Sequence, residues 1–175
     1  ADITNVTPPL EISGAWEIGF PPKWGAPERT KVDSLASWTD STNAGVRFFS
    51  GTATYTKTFD WDDHAENGKG KTQTWLDLGG VQVMAQVKLN GHDLGILWKP
   101  PFRADVTGAL RPGANTLEIR VANLWPNRMI GDAALPEAQR FTWSSWEPFT
   151  KDTPLLKSGL LGPVTIQTAE TITPR

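Results

Sequence analysis

Val81-Gln82-Val83-Met84-Ala85-Gln86-Val87-Lys88-Leu89-Asn90-Gly91 is the stretch whose reading decides the fold class. Its odd positions through Leu89 are all apolar, and Gln82, Met84, Gln86 and Lys88 fall between them. Successive side chains of a strand point to opposite faces, so this alternation predicts a strand with one face in a core and the other in solvent. Asn90-Gly91 then supplies the pair of residues that most readily adopts positive φ in a two-residue hairpin turn.

The same pattern recurs on both sides. In Thr52 to Trp61, Ala53, Tyr55, Phe59 and Trp61 alternate with Thr52, Thr54, Thr56 and Thr58, which predicts a strand with a threonine-lined outer face. Thr116 to Asn123 repeats it with Leu117, Ile119 and Val121 inside, after the turn-forming Arg111-Pro112-Gly113-Ala114-Asn115. A last strand is expected through Val164 and Ile166. Fainter strands are expected at Leu10 to Phe20, Val46 to Ser50, Thr72 to Leu78, Leu94 to Trp98 and Phe102 to Val106. Roughly eight or nine short strands joined by turns predict an all-β fold, a two-sheet antiparallel β-sandwich of jelly-roll type. Short helical turns are expected only at Ser34 to Trp38 and Ala133 to Arg140. The length of 175 residues fits a single domain spanning 1–175.

Composition bounds the partners. Seventeen Lys plus Arg against nineteen Asp plus Glu give a formal charge of -2, which offers no basic surface for nucleic acid. No apolar run has the length of a membrane span. There is no cysteine, hence neither a disulfide framework nor a thiolate metal site. The chain begins at Ala1 and reads as a mature or excised segment. Nine Trp, seven Phe and a single Tyr are the unusual entries of the composition. Most of those indoles are expected to fill the core, and a few exposed ones are suited to stack on the C–H faces of sugar rings.

Catalytic chemistry finds little support. Gly70-Lys71-Thr72 resembles the end of a phosphate-binding loop, but Ala65 stands where that pattern requires glycine, and a strand follows instead of a helix. Zinc needs three or four ligands in register, whereas His64 and His92 are the only histidines. No Gly-x-Ser-x-Gly elbow exists for serine hydrolysis. Asp60, Asp62, Asp63 and Glu66 could supply oxygens to a structural calcium, but they lack EF-hand spacing and read as a solvated acidic turn. No cofactor is therefore expected. Glycoside cleavage needs two carboxylates facing across a cleft. Glu118 falls on the outward face of a regular strand, and Glu147 suits hydrogen bonding to sugar hydroxyls better than catalysis.

Three stretches lack regular patterning: Pro21 to Gly45, Asp60 to Lys71, and Leu124 to Gly159. Loops this long are uncommon in compact domains and are usually functional or disordered, and the last of the three is too aromatic for disorder. The last one combines Trp125, Trp143 and Trp146 with Asn127, Arg128, Asp132 and Glu147, which gives flat rings together with directional hydrogen-bonding groups. Trp98 and Lys99, just before Pro100-Pro101, could form an opposite wall. These nine residues are the candidate sugar site. The alternative for the same residues is structural: Trp125 and Trp143 as core anchors, and Arg128 with Asp132 as a buried pair that locks the loop. Should Trp146 prove uninvolved, Trp24 and Trp38 are next in line.

A family pattern runs through Ser37-Trp38, the segment from Phe49 to Phe59, Leu76-Asp77-Leu78-Gly79-Gly80-Val81, Val87-Lys88-Leu89-Asn90-Gly91, Pro101 to Thr107, and Pro112-Gly113-Ala114-Asn115-Thr116-Leu117. It resembles the galactose-binding-type jelly-roll domain of glycoside hydrolase family 2 and its relatives. Asn123 to Asp132, Phe141-Thr142-Trp143 and Thr150 to Val164 are similar to the C-terminal β-sandwich domain of large bacterial α-L-rhamnosidases of glycoside hydrolase family 106. The resemblance implies a non-catalytic carbohydrate-binding module of a secreted, extracellular or periplasmic enzyme whose catalytic carboxylates lie in a separate barrel. The expected partners are a plant cell-wall polysaccharide or oligosaccharide, such as a rhamnose-containing pectin, and the catalytic domain of the parent enzyme. Nucleic acid and membrane are not among them, and the domain is expected to be a monomer. The alternative is a structural sandwich packed on that barrel without a sugar site.

Overall fold

The computed structural model describes residues 3–62 and 71–172. The look-alike phosphate loop before Lys71, His64, and the acidic residues Asp63 and Glu66 lie outside the described residues. Thirteen strands are formed among the described residues: β1 Ile3–Val6, β2 Leu10–Glu11, β3 Trp16–Gly19, β4 Arg29–Val32, β5 Thr52–Trp61, β6 Lys71–Asp77, β7 Gly80–Gln82, β8 Met84–Leu89, β9 His92–Leu97, β10 Arg103–Asp105, β11 Gly113–Ala122, β12 Gly159–Gly162 and β13 Thr165–Ile172. Two helices join them, α1 Ala44–Arg47 and α2 Pro126–Asp132, with 3₁₀ turns at Trp38–Asp40 and Glu137–Gln139.

The strands build two antiparallel sheets and a small third one. The larger sheet runs β4-β3-β5-β11-β8-β9; the second runs β1-β13-β6-β10, with β2 also paired to β13; β12 and β7 make a two-stranded ribbon. The alternation seen in the sequence sets the register. Tyr55, Ile119 and Val87 stand side by side across three strands, as do Ala53, Val121 and Ala85. All six are buried and face Leu76, Val106 and Ile166 in a common core. Burying an aliphatic side chain in such a core stabilises the fold by roughly 1.5–3 kcal/mol. Thr54, Thr56, Glu118, Arg120, Gln86 and Lys88 alternate with these residues and form the outer face.

An aromatic group closes one end of the core. Trp38 stacks on Tyr55 at 6.3 Å with its ring nearly parallel, and Phe20 and Phe49 meet it edge-on at 5.7 and 5.3 Å. The Tyr55 hydroxyl accepts a hydrogen bond from the Leu160 N–H at 3.0 Å. Burial pushes the Tyr55 phenol up to about 12, with the Leu160 N–H opposing that rise. Gly159 makes this approach possible: its φ is +93°, and a Cβ there would meet the Trp38 indole nitrogen at 2.7 Å and the Tyr55 hydroxyl at 2.8 Å.

Several local expectations are corrected. Val46 to Ser50 is not a strand: Asn43 caps α1 by accepting a hydrogen bond from the Val46 N–H at 3.2 Å, which starts a helical turn there. The segment from Val81 to Leu89 is broken in two. Val83 lies between β7, which pairs with β12, and β8, which pairs with β11, so it is half-buried and outside the main core. Of the two expected helical turns, one falls within Ala133 to Arg140, at Glu137–Gln139, and the other comes later than expected, at Trp38–Asp40; α2 lies in a stretch where no helix was expected.

Candidate functional site

The segment from Leu124 to Gly159 is anchored by α2. Pro126 opens the helix, where its missing N–H is no loss. Three of the expected polar site residues lie on its buried side. The Asn127 side chain donates to the Leu156 carbonyl at 2.7 Å and accepts from the Leu156 N–H at 2.8 Å, so it holds the returning chain as a neighbouring strand would. Arg128 and Asp132, one helical turn apart, are each 3% exposed and meet at 3.0 Å. The guanidinium lies over the Phe141 ring at 4.6 Å and the Phe48 ring at 5.9 Å. Burial pulls Arg128 below its ordinary value, and the Asp132 carboxylate opposes that pull.

The second carboxylate oxygen of Asp132 accepts the Phe141 and Thr142 N–H groups and the Thr142 hydroxyl, at 3.1, 2.8 and 2.7 Å. Asp132 thus ties the 141–149 segment to the helix. Glu147 pairs with Arg140 at 2.6 Å, and the two line a small cavity with Asp132 and Thr142. Asn127, Arg128 and Asp132 therefore spend their polar atoms mainly within the protein, and Glu147 is engaged at the surface.

The indoles behave differently. Trp98, Trp125, Trp143 and Trp146 are 65, 59, 84 and 73% exposed. Trp143 and Trp146 project from a segment without regular structure, where Ser144 bonds to both the N–H and the carbonyl of Trp146. The Lys99 ammonium lies over Trp98 at 5.2 Å. Trp98 and Lys99 lie apart from the cavity of Arg140 and Glu147. Trp38 is core, which takes it off the surface.

Trp125 has a partner that sequence reading held only in reserve. Trp24 meets it edge-to-face at 6.4 Å and 73°, and the two indoles border a groove with Pro21, Thr52, Arg120 and Asn123. Asn123 braces the groove, accepting from the Gly51 N–H and donating to the Phe49 carbonyl, both at 2.8 Å. Arg120 comes from the outer face of β11 and touches the Gln86 side-chain carbonyl at 3.3 Å. It forms no ion pair with any described residue. Arg120 was legible as an outward strand position, but nothing in the sequence placed it beside Trp24. This groove can stack a ring and hydrogen-bond it, which is the chemistry of holding a ligand. Among the described residues no three His, Asp or Glu gather to hold a metal.

Comparison with known proteins follows the same outline. A rhamnosidase structure from Novosphingobium sp. PP1Y matches with a TM-score of 0.81 at 41% identity, covering 94% of this chain and 15% of that one. A curated protein of Formosa agariphila, provisionally named a beta-glucuronidase, is 39% identical over 187 residues, covering 94% of this chain and 16% of that protein. The beta-D-glucuronidase structure of Dictyoglomus thermophilum shares the fold, with a TM-score of 0.62 at 21% identity over 94% of this chain and 28% of its own. The chain thus spans less than a fifth of the first two relatives. The family model described as glycosyl hydrolase 2 galactose-binding domain-like matches residues 37–152, and with its two-sheet sandwich the chain belongs to that family.

Proposed function

We propose that this chain is a non-catalytic carbohydrate-binding domain of a secreted glycoside hydrolase, a rhamnoside-cleaving enzyme whose catalytic carboxylates lie in another domain. It acts as a monomer and holds plant cell-wall polysaccharide, rhamnose-containing pectin in particular. The observation that carries this reading is the groove between Trp24 and Trp125, where the exposed Trp125 indole, set edge-to-face at 6.4 Å against the half-buried Trp24, offers apolar surface beside the hydrogen-bonding Arg120. The rhamnosidase from Novosphingobium sp. PP1Y, at 41% identity, supports the choice of parent enzyme. Isothermal titration of the purified chain against pectic, xylan and glucan polysaccharides tests it. Saturable heat with a pectic polymer is expected; flat heats across the whole panel would sink the binding reading.

A second reading is favoured by one observation. Trp143 and Trp146, 84 and 73% exposed on a segment that Asp132 holds in place, suit burial against another domain of the same enzyme. In that case the domain buttresses a catalytic barrel. Replacing both indoles with alanine in the full-length enzyme would then lower its melting temperature while the isolated domain melts as before.

A further inference from the structure

The outer face of the larger sheet extends the groove. The register places Thr52, Ala122 and Met84 in one row across β5, β11 and β8. The next row holds Thr54, Arg120, Gln86 and Ile96 and reaches β9. Ile96 is 60% exposed while Leu97 packs against the core, so the exposed Trp98 continues the alternation one residue beyond the strand. Both rows therefore run from the Trp24–Trp125 corner toward Trp98. Three strand-to-strand steps separate β5 from β9, a span of about 14 Å. That distance takes a short oligosaccharide lying across the strands and exceeds a single ring.

Charge narrows the ligand. Arg120 is the ionised residue of these two rows, and its guanidinium meets the neutral Gln86 carbonyl without an ion pair to any described residue. Lys99 adds a second positive charge beside Trp98. The nearest carboxylates of this face stand in the following row, where Glu118 and Asp93 both lie opposite Lys88; Asp93 also accepts a hydrogen bond from the Gln86 side-chain amide at 2.8 Å, so Gln86 stands between it and Arg120. Covering a guanidinium with a neutral ring removes its water and returns little, whereas a carboxylate returns a charge-assisted, bidentate hydrogen bond. We infer that this strip binds an acidic oligosaccharide, with a uronate carboxylate on Arg120 and flanking rings on the Trp24–Trp125 corner and on Trp98. The inference rests on the sugar-binding reading and specifies its ligand class.

Titration with trigalacturonate and with neutral galactotriose, on the wild-type chain and on Arg120→Gln, Trp125→Ala and Trp98→Ala, tests it. The acidic trimer is expected to bind at least about tenfold more tightly than the neutral one, the scale of a hydrogen bond to a charged group. Arg120→Gln should erase that preference, while Trp125→Ala and Trp98→Ala should weaken the acidic trimer at unchanged melting temperature. Equal affinity for both trimers, with Arg120→Gln indifferent, would overturn the acidic preference and leave sugar binding intact. Unchanged trigalacturonate affinity in both indole variants would overturn the placement. Heat from a pectic polymer but from neither trimer would overturn the inference alone, and no heat from any carbohydrate would remove the reading beneath it as well.

Discussion

The Asp132 carboxylate lies 3.0 Å from the Arg128 guanidinium, and both side chains are shielded from solvent. Removing one member of a buried pair leaves the other charge without water or partner, which costs about 3–5 kcal/mol. Asp132→Ala is expected to lose stability on that scale, and to free the 141–149 segment that Asp132 also caps. Urea denaturation reads the first effect and protease sensitivity around Trp143 the second. An unchanged urea midpoint would show that the pair contributes nothing.

Val121 is fully buried between Ala53 and Ala85 in the middle of the larger sheet. Val121→Asp should abolish folding, because an unpaired carboxylate at this position has neither water nor a counter-ion. A soluble variant with the wild-type melting temperature would refute the inward register of β11.

The regular strands were legible because their periodicity is local. Thr52–Trp61 has the bounds that its threonine alternation implies, and the strand before Asn123 follows its Leu, Ile and Val. What escaped was decided elsewhere. Asn43 is a helix-cap residue, and reading it as one would have predicted a short helical turn ending at Arg47 in place of the strand from Val46 to Ser50. α2 was harder, since Trp125 at its cap makes no side-chain hydrogen bond and its stability comes from packing on Phe48 and Phe141. In the same way, the polar residues of the aromatic loop have the right types for sugar contact, but Asn127, Arg128 and Asp132 are turned inward by partners such as Leu156 and Thr142. The meeting of Trp24 with Trp125 depends on tertiary packing across most of the chain, which no window of sequence contains.

Tyr55 is the single tyrosine, so tyrosinate absorbance reports on it alone. Its phenol ionises near 10 in the unfolded chain and is pushed up to about 12 in the fold by burial. The unfolded state therefore releases its proton first as pH rises. The associated stability is fully present below about pH 10 and is lost as pH climbs through about 12, amounting to about 2–3 kcal/mol. A spectrophotometric titration should show ionisation near 12 in buffer and near 10 in strong denaturant. Ionisation near 10 in the native protein would contradict the buried position of the ring.

Trp146 is 73% exposed, so its removal leaves no cavity. Trp146→Ala is expected to change stability by less than about 0.5 kcal/mol, as for other surface positions. If its ring stacks on sugar, the same change weakens polysaccharide binding by roughly 1–3 kcal/mol. A variant that melts normally and binds as well as the wild type would take Trp146 out of the site and leave the groove of Trp24 and Trp125 to carry it.

The pairing of β1 with β13 sets Ile3 opposite Ile172, antiparallel and hydrogen-bonded. The polypeptide consequently enters and leaves the sandwich at one corner. A tension applied between these two residues peels the strands apart like a zipper, loading one pair of hydrogen bonds at a time instead of the whole ladder together. In that direction the domain is mechanically soft even though its core is well packed. Any neighbouring segments joined there would be held at a short, fixed separation, as two leads soldered to a single pad.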